Sequence, residues 1–494
     1  MPEVSKSPKV HLVTFGCQMN KYDSELLSGK LRAQGYSSVD VPDDADVVAL
    51  NTCSVRGGAE DRVYGRLGEL KRLKKKRPEL IVAILGCQAQ REGLNLLKRA
   101  PHIDIVAGTR EFQRLPELVA RVRAGERPIL AIDENVEVAV DRVARVERSA
   151  SAFIAVMRGC DLNCTFCIVP TTRGRVKSRT VEDILEEARW LVADGVREIS
   201  LLGQTVNSYG YDLASPSEAE AMGYKRVLAE GGSHVPEYIH SNSLHFESGP
   251  HDATLTLPIL SEELDTTKPT IPRIAHLMRR LGELPGLDRI RLVTNHVAYL
   301  DDSLIATFAE IPSVMPFLPV PAQSGSDRIL KEMRRGYTTD LYRKRIDKLR
   351  ARVPNIELSS DWIVGFPGET DAEFEKSCDF LREMEFAQNF IFRYSPRPET
   401  ASFDRAELPE EIVAARNTEL LKVAEDVQRK RWARYIHSTR PVLVEKTGNR
   451  EGTVAGHTPE YLEVIFDGAP ALAGEIVNVT ITETGSFSAR GVLV

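Results

Sequence analysis

The chain contains 494 residues, of which 42% are hydrophobic and 28% charged, and its formal net charge is -6 at pH 7. This length suits about three domains rather than one core, the composition is ordinary for a globular protein, and the charge excludes a wholly basic nucleic-acid coat. With no apolar run near the ~18 residues of a membrane span and no apolar secretion signal at the start, we expect a cytoplasmic protein without a membrane partner.

Four short apolar runs, each followed by a stretch with helical periodicity, begin the chain. They are Val10 to Phe15, Val47 to Leu50, Leu80 to Leu85 and Ile103 to Val106. Strands that alternate with helices form a parallel sheet covered by those helices. We therefore predict an α/β fold whose first part is a Rossmann-like parallel domain over residues 8–125.

Three cysteines follow the first three of these strands at equivalent positions. Cys17, Cys53 and Cys87 are separated by 36 and 34 residues, about one strand-helix repeat. The carboxyl ends of neighbouring parallel strands share one edge of the sheet, where ligands bind, so the three thiols can converge. A lone cysteine is by default a small buried hydrophobe. Three in register favour an iron-sulfur cluster that has one iron without a protein ligand.

A basic run, Lys71 to Arg77, closes the second predicted helix of this domain. Basic side chains suit a helix C-terminus, and a solvated helix face is the ordinary interpretation. Contact with RNA phosphates is the alternative. The sequence leaves both open.

After a polar linker at residues 140–150, strands again alternate with helices. We predict a partial (β/α)6 barrel over residues 146–430, interrupted by an insertion at about residues 212–270. Six strands are fewer than the eight of a closed barrel, so an open barrel is expected. The predicted strands are Phe153 to Met157, Glu198 to Leu202, Arg289 to Val293, Val314 to Pro319, Glu357 to Val364 and Asn389 to Tyr394.

The loop after the first barrel strand holds Cys160, Cys164 and Cys167 within eight residues. In a chain without a secretion signal, such cysteines are metal ligands more often than disulfide partners. A zinc ion or an electron-transfer cluster calls for four protein ligands, and no fourth Cys or His lies nearby. A 4Fe-4S cluster would thus keep one iron open for a substrate. The alternative is a loop held by a zinc ion whose fourth ligand comes from a distant part of the chain.

The C-terminal part begins after a helix whose end mixes basic and aromatic side chains. This combination suits phosphate neutralisation and base stacking, although a solvated face with packed rings is the competing interpretation. The predicted RNA-contacting residues are Arg429, Lys430, Arg431 and Arg434. Short strands broken by glycines beyond Pro441 predict a compact antiparallel β-barrel over residues 436–494.

The spacing CxxxCxxC of Cys160, Cys164 and Cys167 resembles that of the radical S-adenosylmethionine (SAM) enzymes. Together with the strings FGCQMNKYDSE, NTCSVRGGAEDRVYGRLG and CTFCIVPTTRGR, it resembles the radical-SAM methylthiotransferases over nearly the whole chain. The resemblance implies that the open iron chelates SAM and that the first domain carries an auxiliary 4Fe-4S cluster, making two clusters. It also implies that the last domain is a TRAM domain, an RNA-binding module.

The resemblance further implies the residues around SAM and the reaction. The cofactor-binding positions would be Gly203, Gln204, Ser324 and Asp361. The best match is the branch that adds a methylthio group at C2 of N6-isopentenyladenosine beside the anticodon of tRNA, using two SAM molecules. An external electron donor and sulfur source, and a monomeric state, are expected. The alternatives are methylthiolation of a ribosomal-protein aspartate, and a non-catalytic iron-sulfur RNA-binding regulator.

Overall fold

The computed structural model describes residues 7–54, 57–133, 149–213 and 273–494, and the backbone of two short strands at 224–226 and 238–240. The chain divides into two compact units. The N-terminal unit comprises residues 1–148 together with the segment Cys167–Arg175. The C-terminal unit comprises Ser149–Phe166 and Val176–Val494.

A six-stranded sheet, in which every pair of neighbours is parallel, forms the N-terminal unit. Its spatial order is β2-β1-β3-β4-β5-β6. The strands are β1 Lys9–Thr14, β2 Ser37–Ser38, β3 Val47–Thr52, β4 Ile81–Gly86, β5 Ile105–Ala107 and β6 Ile129–Ala131. The Rossmann-like parallel fold is confirmed. Because β6 pairs with β5, the sheet extends beyond the predicted boundary at residue 125.

Helices cover both faces of this sheet. Along β3, Val47 and Ala49 pack into one core, whereas Val48 and Leu50 pack into the other. Successive strand residues point to opposite faces, so a strand buried on both sides is a continuous apolar run. The helices of the unit are α1 Gln18–Ala33, α2 Gly57–Lys76, α3 Cys87–Glu92, α4 Leu94–Arg99, α5 Leu115–Arg123 and α6 Val169–Arg173.

Six parallel strands form the open barrel of the C-terminal unit. They are arranged as two three-stranded sheets, with orders β13-β10-β7 and β14-β15-β16, joined by a single bridge between Ile290 and Val314. The prediction of a partial six-stranded barrel is confirmed. The strands of this region are β7 Ser151–Ala155, β8 Met157–Arg158, β9 Lys177–Ser178, β10 Glu198–Leu202, β11 Tyr224–Arg226, β12 Tyr238–His240, β13 Arg289–Leu292, β14 Phe317–Pro319, β15 Glu357–Val364 and β16 Gln388–Arg393.

Barrel helices begin where their sequences supply caps. The hydroxyl of Thr180 accepts a hydrogen bond from the N–H of Asp183 at the start of α7, and Ile184 and Ala188 on its apolar face are buried. Cys378 lies fully buried in the barrel core, where it packs as a small hydrophobe. The helices are α7 Val181–Ala193, α8 Ile274–Gly282, α9 Asp302–Glu310, α10 Asp327–Glu332, α11 Thr339–Arg352, α12 Asp371–Met384 and α13 Glu410–Ala433.

A closed five-stranded barrel ends the chain, in the order β17-β18-β19-β21-β20. Four of its pairs are antiparallel, and the pairing of β19 with β21 is parallel. The predicted small β-barrel is thus confirmed, with one parallel pair. Its strands are β17 Thr439–Thr447, β18 Thr453–His457, β19 Glu463–Asp467, β20 Ile476–Thr484 and β21 Ser488–Leu493.

Short 3₁₀ turns complete the described chain at Pro42–Asp44, Phe112–Arg114, Val206–Ser208, Tyr211–Leu213, Val297–Tyr299 and Pro470–Leu472. Within the described ranges, we find no helix with the length and apolar character needed to cross a bilayer. Nearly all of the predicted insertion, residues 212–270, lies outside the described residues; the two strands β11 and β12 pair antiparallel within it.

Candidate cluster sites

The strand-end cysteines of the N-terminal unit follow β1, β3 and β4, as their spacing predicts. Cys17 precedes the first residue of α1, and Cys87 is the first residue of α3. Gly16 has φ of +104°, and a Cβ at this position would lie 2.4 Å from the Cβ of Cys53. Only glycine permits so close an approach with that backbone conformation. The loops that carry Cys17 and Cys53 are therefore packed directly against each other.

Asn20 holds these two loops together. Its amide group donates to the carbonyl of Phe15 at 2.8 Å and to the carbonyl of Thr52 at 2.8 Å. Its side-chain oxygen accepts a hydrogen bond of 2.7 Å from Arg173 in α6. Buried polar groups are costly unless they are bonded in this way. The buried amide of Asn20 thus fixes two of the three cysteine loops, and it also accepts a hydrogen bond from the Arg173 guanidinium.

Arg173 is the positive charge at this cysteine site. Its guanidinium is buried and donates to the Asp23 carboxylate at 3.0 Å. Burial raises the pKa of the Cys87 thiol, and the nearby Arg173 charge opposes that rise. The charge of Arg173 also interacts with Cys17. The site therefore combines three thiols with one buried cation, which suits thiolates bound to iron.

The donor set at this edge fits a cluster better than a single ion. Zinc holds its thiolates about 2.3 Å away, which gathers the ligands tightly, whereas the cysteines of a 4Fe-4S cluster bind different irons. Throughout the described ranges, no three His, Cys, Asp or Glu side chains are gathered as one ion requires. Three thiols on neighbouring strand ends beside a buried cation are the donor type that iron-sulfur clusters use.

The barrel's cysteine loop is fixed by bonds within the C-terminal unit. The Cys160 thiol lies 3.6 Å from the Thr205 hydroxyl, and Nη1 of Arg335 donates to Sγ of Cys164 at 3.2 Å. Burial and the neighbouring Cys164 raise the pKa of Cys160 to about 11. Cys167 begins the segment that belongs to the N-terminal unit.

Two predicted cofactor positions lie directly after β10. At Gly203, a Cβ would lie 2.6 Å from Cγ of Met157, so the chain passes close to the end of the first barrel strand. Oε1 of Gln204 is buried and has no hydrogen-bond partner among the described residues. An unpaired buried acceptor is costly, and an ammonium group would satisfy it. Asp361, in β15, is half-buried.

Ser324 requires a correction. Its side chain is fully buried; the hydroxyl accepts a hydrogen bond of 3.2 Å from the N–H of Ser326 and lies 3.4 Å from the Ser377 hydroxyl. These contacts hold the turn before α10 against α12. The predicted cofactor contact by Ser324 is therefore not retained, because the hydroxyl is both inaccessible and already bonded.

Arg431 also requires a correction. Its side chain is 7% exposed and donates to Glu357 at 2.7 Å and to Glu385 at 3.0 Å. Arg434, which is half-exposed, donates to the same Glu357 carboxylate at 2.9 Å. Arg431 therefore anchors the end of α13 to the barrel and cannot contact RNA in this structure. The RNA-contact hypothesis is restricted to Arg429, Lys430 and Arg434.

Sequence reasoning missed the two arginines that contact the cysteines. Arg173 and Arg335 lie in strings that are rich in basic residues, Thr-Arg-Gly-Arg and Met-Arg-Arg-Gly. The glycine that follows each of these arginines, Gly174 at φ +74° and Gly336 at φ +66°, marks a tight turn. That glycine was the available signal, although it does not reveal what the arginine contacts.

Comparison with known families places three parts in order along the chain. Residues 9–108 match the uncharacterized protein family UPF0004, residues 154–381 match the radical SAM superfamily, and residues 433–494 match the TRAM domain. These three domains in this order are the architecture of one family. The chain belongs to the radical-SAM methylthiotransferases. Membership in the radical SAM superfamily makes it a SAM-dependent enzyme with a 4Fe-4S cluster.

Solved structures support the fold of this methylthiotransferase. The radical S-adenosylmethionine methyltransferase TsrM from Kitasatospora setae, with tryptophan substrate and a SAM analogue bound, has a TM-score of 0.50 and 16% identity, over 80% of this chain and 75% of that one. The same enzyme with cobalamin and a 4Fe-4S cluster gives 0.50 and 15%, over 80% and 77%. The cobalamin-dependent enzyme OxsB gives 0.47 and 13%, over 86% and 56%. The likeness to TsrM shows a shared fold.

Proposed function

We propose that this enzyme adds a methylthio group at C2 of N6-isopentenyladenosine beside the anticodon of tRNA, and that it uses two SAM molecules. The observation that carries the proposal is the second three-cysteine site, with Cys17, Cys53 and Cys87 following adjacent parallel strands beside the buried Arg173. An enzyme that only generates a radical needs one cluster. A second three-thiolate site, with one iron left open, provides a place for the sulfur to be inserted.

The chemistry explains why the barrel's cluster is needed. The C2–H bond of the adenine has no acidic proton that a side chain could remove, so acid-base catalysis cannot replace it. When bound, SAM and the 4Fe-4S cluster supply a carbon-centred radical that abstracts this hydrogen. In the proposed arrangement, Cys160, Cys164 and Cys167 hold that cluster and leave one iron open. A second SAM supplies the methyl group for the sulfur staged at the N-terminal site.

Residues at the strand ends of the barrel would orient SAM. The unpaired Oε1 of Gln204 suits the ammonium group of SAM, and the missing side chain of Gly203 lets this stretch of the chain pass close to Met157. The half-buried carboxylate of Asp361 is the third candidate. Preorganised polar groups of this kind fix a ligand without reorganisation on binding.

The TRAM domain supports RNA as the substrate class. Four basic side chains on the last turns of α2 are exposed, and no carboxylate pairs with them among the described residues; they are Lys71, Arg72, Lys75 and Lys76. Unpaired cations on one face can neutralise RNA phosphates. We propose this face, together with Arg429, Lys430 and Arg434, as RNA contacts. An external electron donor and a sulfur source complete the reaction.

The decisive experiment weighs the nucleosides of tRNA from a strain that lacks the gene. We expect the methylthio isopentenyl nucleoside to disappear, isopentenyladenosine to accumulate, and the wild-type gene to restore the modification. Loss of a methylthio group from a ribosomal-protein aspartate, with normal tRNA, would instead support the related protein-modifying activity. If neither product changes, both the tRNA substrate and the ribosomal-protein substrate are wrong.

Replacing the N-terminal cysteines separates radical formation from sulfur transfer. The variant Cys17→Ala with Cys53→Ala and Cys87→Ala should still cleave SAM to 5′-deoxyadenosine but place no methylthio group on tRNA. Its iron content after anaerobic reconstitution should fall from about eight to about four per chain. The matched variant lacking Cys160 and Cys164 should lose SAM cleavage. Full iron and full transfer in the first variant would contradict the second cluster.

A further inference from the structure

Arg335 approaches a cysteine of the barrel loop from a buried position. It is 7% exposed, and its Nη1–H donates to Sγ of Cys164 at 3.2 Å. Its Nε–H donates to the hydroxyl of Tyr337 at 3.3 Å. That hydroxyl donates to the carbonyls of Pro321 at 3.1 Å and Ala322 at 3.0 Å. These bonds fix the buried ring of Tyr337, and the ring in turn orients the guanidinium of Arg335 toward Cys164.

The backbone ties Arg335 and the cysteine loop to the same turn. Arg334 adopts φ of +54° after α10, and the N–H of Arg335 donates to the carbonyl of Leu330 at 2.9 Å. In the same turn, the carbonyl of Met333 accepts a bond of 3.1 Å from the N–H of Thr165, the residue after Cys164. A main-chain bond thus sets the spacing between cation and thiol.

The charge of Arg335 lacks the partner that other buried arginines have. Arg173 pairs with Asp23 at 3.0 Å, and Arg416 pairs with Glu369 at 2.8 Å. For Arg335, no carboxylate lies within ion-pair distance anywhere in the described part of the chain. Removing an uncompensated charge from water costs several kcal/mol. A protein tolerates that cost when an anion completes the site.

The groups around Arg335 do not provide that anion by themselves. Tyr337 is buried, and burial raises the pKa of its hydroxyl, so it stays neutral. His296 is also buried, and burial together with the Arg335 charge lowers its pKa well below the usual value. The remaining neighbour is Cys164, whose sulfur becomes anionic when it binds iron. The missing negative charge is thus that of the metal-bound thiolates.

We propose that Arg335 is a positioning residue that balances the charge of the cluster held by Cys160, Cys164 and Cys167 and raises the reduction potential of that cluster. The reduced cluster carries one more electron than the oxidised one, so a fixed cation and a hydrogen bond to a ligating sulfur stabilise the reduced form more. Easier reduction favours the electron transfer that SAM cleavage requires. This inference needs only the barrel's cluster and is independent of the tRNA substrate.

The test measures the midpoint potential of the barrel's cluster by electron paramagnetic resonance during an anaerobic redox titration. All variants are made in the chain lacking Cys17, Cys53 and Cys87, so that one cluster gives the signal. In Arg335→Gln, we expect reduction to become at least tenfold less favourable, which for one electron corresponds to about 59 mV. Arg335→Lys, which keeps the charge, should stay within about threefold of the parent.

The matched control is Arg405→Gln. Arg405 is a partly exposed cation that pairs with Glu332 at 2.6 Å, just before the turn that carries Arg335. It does not contact a cysteine, so its loss should leave the potential unchanged. A parent-like potential in folded, iron-loaded Arg335→Gln would overturn the proposal. If that variant does not fold, Arg335→Met, which also removes the charge, takes its place, and a parent-like potential in that variant overturns the proposal.

Discussion

Arg173 shows how much a single buried cation can do in the N-terminal unit. It donates to Asn20, which joins two cysteine loops, and to the Asp23 carboxylate, which balances its charge. Because both partners are buried, the loss of one leaves the other uncompensated in a low-dielectric interior. Arg173 is therefore a structural residue of the unit before any cluster is bound.

The first consequence is testable on the cluster-free protein. Arg173→Met should lower the free energy of unfolding of the N-terminal unit by about 3–5 kcal/mol, since it removes the guanidinium that balances the buried Asp23 carboxylate. Urea titration followed by hydrogen exchange in β1 and β3 measures this change. The double variant Arg173→Met with Asp23→Leu should recover much of the loss, because removing both charges is often nearly neutral. A double variant no more stable than the single one would contradict the pairing.

The sequence identified cysteines more readily than arginines, for a physical reason. The register of a parallel sheet is regular, so Cys17, Cys53 and Cys87 could be placed at one edge from their spacing alone. The partner of a long basic side chain depends on residues far along the chain. Arg431 illustrates this limit, since its carboxylate partner Glu357 lies 74 residues earlier.

At the scale of elements, one carboxylate secures the end of the long helix α13. Glu357 is fully buried at the start of β15 and accepts bonds from Arg431 at 2.7 Å, from Arg434 at 2.9 Å and from the Tyr435 hydroxyl at 2.9 Å. Glu385 accepts a bond from Arg431 too, but its side chain is 60% exposed. Both acids accept a bond from Arg431, but Glu357 is buried and accepts two further bonds, whereas Glu385 is largely exposed.

This pair provides a matched comparison. Glu357→Gln should destabilise the junction by about 3–5 kcal/mol, because it removes the charge that compensates a buried guanidinium. Glu385→Gln should cost at most about 1 kcal/mol, as for an exposed ion pair. Hydrogen exchange over the last turns of α13 measures both effects. Equal exchange rates in the two variants would show that burial does not set the strength of this contact.

Long strands were predicted better than short ones. The predicted bounds Glu198 to Leu202 and Glu357 to Val364 agree with β10 and β15, and each strand ends in apolar residues directly before a turn. By contrast, β2 and β6 were missed. Strands of two or three residues bury too little surface to leave a hydrophobic pattern in the sequence. Such strands form because they pair with a neighbouring strand.

At the scale of the whole molecule, charge is distributed unevenly despite a net value of -6. Lys75 and Lys76 at the end of α2 are exposed and have no carboxylate partner among the described residues. Elsewhere in the same unit, Arg114 and Arg121 pair with nearby glutamates. Cations without a carboxylate partner replace the counterions of RNA without first breaking an ion pair.

The salt dependence of tRNA binding distinguishes the unpaired lysines at the end of α2 from the paired arginines of the same unit. Lys75→Gln with Lys76→Gln should weaken binding and reduce the slope of log K against log salt by about 0.7–0.9 for each phosphate that is no longer neutralised. The control, Arg114→Gln with Arg121→Gln, removes the same amount of charge and should keep the slope. Filter binding across salt concentrations measures both. Equal slopes in the two variants would assign the α2 run to a solvated helix face.

The segment Cys167–Arg175 also limits how this protein can be divided. A polypeptide that ends at residue 148 would contain all three strand-end cysteines but would lack Arg173, and the Thr109 hydroxyl would lose its bond of 2.7 Å to the carbonyl of Thr172. The N-terminal unit is thus encoded discontinuously, and its final piece begins with a cysteine of the barrel loop. Gene fusion or exchange at the polar linker could not transfer this unit intact. A fusion joined at that linker would carry the sheet and its three cysteines without the buried cation of Arg173.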